Sequence, residues 1–248
     1  MKRIFAATLI MAGLSIISIN AFAQNESRDD VIKQIETKRA ELAVLEKQLL
    51  EPSEQDRLAY SEFLQQPKTG IVRLLPGEKY DAETYKDVKK PTMTIRGGGS
   101  YYSFSDNSHD YNTLGSPEIS LQRGRFGIGF AGGDYGALTS LGDVPLEQIT
   151  IEHPAARFLA EYSVPNQRTD SLSEKRRFDQ GVTLDGATYK SRVSAVVNST
   201  YLLRSMNWDR SNVLVVFRVV RQDTDGSVII VWKLLKNLYE RPKVAQNN

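Results

Sequence analysis

The chain has 248 residues, no cysteine, two histidines, and 32 basic against 30 acidic side chains. This composition excludes cysteine nucleophiles, thiolate metal sites and disulfides, and it supplies no bulk charge to attract a polyanion. The length suits one sizeable core with room for a small appendage.

Residues 1–23 read as a cleaved signal peptide. Lys2 and Arg3 make a positive start, residues 4–19 are apolar and uncharged, and Ala21-Phe22-Ala23 has the small-x-small pattern of a cleavage site. The apolar run is too short for an ordinary spanning helix. Cleavage after Ala23 would leave Gln24 as the N-terminus, a secreted or periplasmic address, and no membrane span. It also removes Lys2 and Arg3 and no acid, leaving 30 basic against 30 acidic residues. Nucleic acid therefore loses its compositional support as a partner.

Residues 24–67 read as a helical appendage. Val31, Ile35, Leu42, Leu45 and Leu49 occupy a and d positions of a heptad that Lys38 interrupts. A parallel coiled coil would bury Lys38 and set Glu41 against Glu46 of a second chain, so a helical hairpin is the better expectation, with helix-mediated self-association as the alternative. Glu51-Pro52 ends the first helix. Ser53 with Asp56 offers a cap for a second helix reaching about Gln66, whose apolar residues are Leu58, Tyr60, Phe63 and Leu64.

Residues 68–240 change period and read as a mainly β domain, an antiparallel sandwich or barrel-like body built from hairpins. Short β-prone pieces are separated by Pro76-Gly77, Gly97-Gly98-Gly99, Arg123-Gly124 and Gly132-Gly133. A short helix is expected near residues 154–160 and a polar surface loop over 165–180. Residues 193–205 alternate well enough to predict one long strand with a single buried face. Residues 213–221 and 227–235 are nearly continuous apolar runs joined through Asp225-Gly226, which predicts a hairpin burying Phe217, Val219, Ile230 and Trp232. Residues 241–248 read as a flexible tail. Arg204, Trp208, Asp209 and Arg210 are expected to form a salt-bridged corner with Trp208 tucked in.

The richest candidate site is the segment 101–112. Its aromatic, carboxylate and amide side chains suit sugar recognition, which assigns ligand binding to Tyr101, Asp106, Asn107, His109 and Tyr111. The same residues also describe a strand ending in a polar turn, with Tyr102 and Phe104 in the core. His109 beside Asp110 is the one candidate for acid–base catalysis, weakened because neighbours on an extended chain point apart. Two isolated histidines predict no metal site, and no motif predicts a cofactor.

These readings predict an exported, soluble, non-enzymatic β-rich module that binds or supports something in the cell envelope or extracellular space, with a polysaccharide or another envelope protein as partner. Two alternatives stand beside it: a hydrolase of an envelope polymer using carboxylate and histidine chemistry, and an adhesive protein assembling through its N-terminal helix.

Overall fold

The computed structural model describes residues 27–81, 85, 93, 95–109, 117–130, 132–208 and 210–239. The leader, its cleavage site and the tail at 241–248 lie outside the described residues. The chain divides into two compact units, Met1–Ala43 and Val44–Asn248.

The described part of the first unit is helical, the beginning of α1 (Arg28–Leu50). Asp29 and Asp30 lie in its first turn, where carboxylates offset the positive end of the helix dipole, and Ser27 Oγ accepts from Asp30 N at 3.2 Å. Val31, Ile32 and Ile35 are exposed on it.

In the second unit, Ser53 forms the expected cap. Its Oγ accepts from Asp56 N at 3.1 Å and its N–H donates to Asp56 Oδ2 at 2.9 Å. The helix it opens is shorter than the pattern predicts. It breaks at Tyr60 into α2 (Glu54–Ala59) and α3 (Ser61–Leu64), neither long enough to form the second arm of a hairpin. Phe63 is buried in a hydrophobic core against which Tyr60 and Leu64 also pack.

Next come β1 (Thr69–Leu74), α4 (Gly77–Tyr80), β2 (Tyr101–Tyr102), β3 (Ile119–Gln122), β4 (Arg125–Gly127) and β5 (Tyr135–Gly142). Two helices follow, α5 (Pro154–Glu161) and α6 (Arg168–Gln180), then β6 (Val182–Leu184), β7 (Ala187–Tyr189) and β8 (Arg192–Ser194). The chain closes with β9 (Thr200–Asn207), β10 (Ser211–Gln222) and β11 (Val228–Asn237). A five-stranded antiparallel sheet has the order β1-β11-β10-β9-β5, a four-stranded one β2-β3-β4-β8, and β6-β7 is a separate hairpin. The fold is mainly β and antiparallel, as the sequence predicts. It is not a closed barrel, because the large sheet ends in two edge strands, β1 and β5.

Two cores lie on the two faces of that sheet. One draws Phe217, Val219, Ile230 and Trp232 together with Ile119, Leu121 and Phe126 of the smaller sheet. The other packs Leu202, Leu214, Val216 and Val231 against Leu159 of α5 and Phe178 of α6. Coverage on both faces explains why β9 is buried at every position and why β10 and β11 read as nearly unbroken apolar runs.

Two expectations are corrected here. The single strand over 193–205 is two strands in different sheets. Asn198 takes a left-handed φ of 63°, Val196 and Val197 are exposed, and the chain crosses from β8 to β9 between them. The polar stretch over 165–180 is a surface loop only up to α6, which buries just Ser171 and Phe178 and leaves most of its charged residues exposed. Gly181, with φ of 99°, ends it.

Candidate functional site

The β3–β4 connection is two residues long. Arg123 and Gly124 both have positive φ, 51° and 66°, the signature of the hairpin turn whose twist matches its strands. The register then pairs Gln122 with Arg125, Leu121 with Phe126 and Ser120 with Gly127. Leu121 and Phe126 point into the core and are fully buried. Strand alternation turns Ser120, Gln122, Arg125 and Gly127 to the opposite face.

Pairing extends this face across the sheet. Tyr101 on β2 lies opposite Ser120, and Arg192 on β8 lies opposite Gly127. One row thus reads Tyr101, Ser120, Gly127, Arg192. Two small central residues between two large ones make a trough. The resulting cavity has a volume of 540 Å³, with Tyr85, Phe130 and Lys175 completing its walls.

The polar groups in this groove are oriented. Gln122 Nε2 donates to the Tyr101 hydroxyl at 3.0 Å, and Gln122 Oε1 accepts from the Tyr85 hydroxyl at 3.1 Å. Burial pushes the Tyr85 phenol up. The Tyr101 ring meets Phe130 edge-on at 5.1 Å between centroids. The Arg123 guanidinium lies 5.5 Å from the Tyr85 ring centre, and its backbone N–H donates to Glu78 at 2.7 Å. Lys175 Nζ donates to the Gly129 carbonyl at 2.6 Å. Arg125 and Arg192 are exposed and have no ion-pair partner among the described residues. The described lining therefore holds four cationic side chains, Arg123, Arg125, Lys175 and Arg192, and no carboxylate.

Of the ligand-binding residues predicted from sequence, the structure brings Tyr101 to this groove. Asp106 and Asn107 sit in an exposed turn. Asp106 Oδ2 accepts from Ser103 Oγ at 2.9 Å, Asn107 Oδ1 accepts from the Tyr102 hydroxyl at 2.5 Å, and Asn107 has φ of 51°. Tyr102 and Phe104 are core residues. His109 turns inward. Its Nδ1 is hydrogen-bonded to Tyr101 O at 2.9 Å, its Nε2 is buried without a hydrogen-bond partner, and burial lowers its pKa to about 4. Asp110 and Tyr111 lie outside the described residues. The other histidine, His153, caps α5, its Nδ1 accepting from Ala155 N at 3.3 Å.

Glu118 fixes this turn from beneath. Its Oε2 accepts from Phe104 N at 2.6 Å and Ser105 N at 3.0 Å, and its Oε1 accepts from Ser105 Oγ at 2.7 Å. Burial raises its pKa against those bonds. Of the expected corner at 204–210, Asp209 lies outside the described residues. Arg204 is a buried sheet residue whose guanidinium donates to Tyr162 O at 2.8 Å, to Leu159 O at 2.5 Å and to Asn212 Oδ1 at 3.0 Å, so it closes the end of α5. Trp208 is half-buried and its backbone N–H donates to Asp134 Oδ1 at 2.9 Å.

Sequence reasoning missed Gln122, Arg123, Arg125, Lys175 and Arg192. Each belonged to a bland feature: a turn, a polar strand face, a charged loop. The available signal was the Gln-Arg-Gly-Arg hairpin, which places two cations and an amide on one end of a β-ribbon. Among the described residues no group of three or more histidine, aspartate or glutamate side chains gathers as a metal site, and no helix is long and apolar enough to cross a membrane. No protein-family model, curated protein or solved structure matches the chain.

Proposed function

We propose that the protein is an exported, non-enzymatic binding module of the cell envelope or extracellular space, and that the groove on the smaller sheet holds a segment of acidic polysaccharide. The row Tyr101, Ser120, Gly127, Arg192 carries this reading: a trough floored by small residues, lined by four cations and no described carboxylate. Guanidinium groups meet carboxylate or sulfate in two-point hydrogen bonds. Tyr85 and Tyr101 offer ring faces and hydroxyls, and Gln122 is held ready between them. The attraction is local, since the mature chain as read from sequence has no net charge. The inward placement of His109 supports binding over hydrolysis, because a general base must reach the proton it removes.

Affinity chromatography on polygalacturonate, dextran sulfate and neutral dextran tests this. Retention is expected on the two acidic polymers and not on dextran, falling steeply with salt as screening predicts. An Arg125→Ala, Arg192→Ala double variant should weaken retention at least tenfold. So should Gly127→Ala, whose methyl group raises the floor. A Cβ there meets Ser120 Oγ at 3.4 Å and Arg192 Cγ at 3.7 Å, ordinary contacts that spare the fold. Equal retention on dextran, indifference to both variants, or preference for single-stranded nucleic acid would overturn the reading.

A second reading, self-association through α1, draws on the exposed Val31, Ile32 and Ile35. Its occupant would be a second copy, and light scattering of wild type against an Ile35→Lys variant decides it.

A further inference from the structure

We infer that a second, smaller pocket at the end of the large sheet binds a 2-acetamido sugar residue. The register places Tyr135 beside Met206 and Met206 beside Asn212, and Leu238 N donates to Asn212 O at 2.7 Å, so these four residues form a continuous floor. Val164, Pro165 and Asn166, between α5 and α6, form one wall, and Trp208 and Tyr239 stand at the rim. The cavity has a volume of 260 Å³, and no described residue lining it is charged. It differs from the basic groove in every respect that selects a ligand.

The donors are set by chemistry. Arg204 Nε has only a proton to offer, so the Asn212 atom it meets at 3.0 Å is the carbonyl oxygen. That contact orients the Asn212 carboxamide, whose Nδ2 has no hydrogen-bond partner among the described residues, nor has Trp208 Nε1. Two unused donors beside Met206, Val164 and Leu238 call for a ligand carrying a carbonyl acceptor next to a small apolar group. An acetamido substituent is that combination, the carbonyl taking the N–H groups and the methyl lying on the apolar floor. The ring attached to it has Trp208 and Tyr239 to cover its C–H face. A carboxylated ligand is disfavoured because nothing described in the lining would neutralise it, although Arg204 lies behind Asn212.

Trp208 supplies the assay. The chain has two tryptophans, and Trp232 is only 3% exposed, so a ligand-induced change in emission reports Trp208. Titration of the full protein with N-acetylglucosamine should give a saturable change, and glucosamine and glucose should give none. Asn212→Asp keeps an oxygen for Arg204 and removes the donor, so it should weaken the response at least tenfold. Saturation-transfer NMR on the unaltered protein guards against a variant that misfolds, and the acetamido methyl protons should receive the strongest transfer. A linear response to N-acetylglucosamine, an equal response to glucose, transfer spread evenly over the ring, or full affinity in a folded Asn212→Asp variant would overturn the assignment. Polygalacturonate and dextran sulfate carry no acetamido group, so failure here and failure of the acidic-polymer reading are separate results.

Discussion

His109 and Glu118 bear on the same short segment and pull stability in opposite directions as pH changes. The folded state holds His109 neutral, with its pKa lowered from an ordinary 6.5 to about 4. Between those values the unfolded chain binds the proton and the folded chain does not, so stability is fully present above pH 6.5 and drains away as pH falls toward 4. The interval corresponds to about 3 kcal/mol. Glu118 has the reverse sign. Burial raises its pKa above 4.5, so the folded state binds its proton more tightly and stability improves as pH falls toward that value. Denaturant melts at pH 7 and pH 4.5 should therefore show His109→Gln losing less stability on acidification than wild type, and Glu118→Gln losing more. Identical pH profiles for all three would mean that neither group is buried as described. The sequence made His109 conspicuous but not its direction, because which side of this segment faces inward depends on partners far away in sequence. Trp232 was legible because it lies in a nearly continuous apolar run joined to another through Asp225-Gly226. Its contact was not: a Cβ at Gly70 would lie 2.5 Å from the Trp232 ring, and only the β1–β11 register brings them together.

At the scale of elements, the N-terminal region is where sequence and structure part. Heptad spacing identifies α1, but periodicity cannot say where a helix stops belonging to one unit and starts belonging to another. The compact body begins at Val44. Beyond it, Asp56 pairs with Arg221 of β10, and Phe63 is buried in the core on the helical face of the large sheet. Two truncations separate these pieces. Deleting residues 24–43 should leave the unfolding midpoint of the body nearly unchanged. Extending the deletion to residue 66 removes Phe63 and should cost about 3–5 kcal/mol, the range for losing a large aromatic from a core. Equal cost for both deletions would contradict the division at Val44. The β10–β11 hairpin was legible because Asp225-Gly226 and two β-branched runs agree at every level. Helix α6 was not, because a helix that buries one serine and one phenylalanine leaves almost no apolar period to detect. Its glycine stop, Gly181, was the one local mark of its presence.

The whole molecule joins two properties that composition conceals from each other. A chain whose acids and bases nearly cancel concentrates four cations in one groove, Arg123, Arg125, Lys175 and Arg192, drawn from β3–β4, α6 and β8. Net charge is a sum, and it carries no information about that placement; pairing register does. The proposed export signal follows the opposite rule, being read wholly from the first 23 residues. If the leader is removed after Ala23, Lys2 and Arg3 leave with it, and the isoelectric point should fall from 8.6 for the full chain to near neutrality. Exported protein should give an intact mass beginning at Gln24 and focus near neutral pH, while protein trapped inside the cell by an Ile10→Arg change in the apolar run should keep its leader and focus at the basic value. The groove, built from residues far beyond the leader, should retain acidic polymers equally in both forms once each is purified and folded. Soluble exported protein that still carries Met1 would refute cleavage. A basic form that binds polygalacturonate much more tightly than the neutral one would show that the leader's charge, and not the groove, governs the interaction.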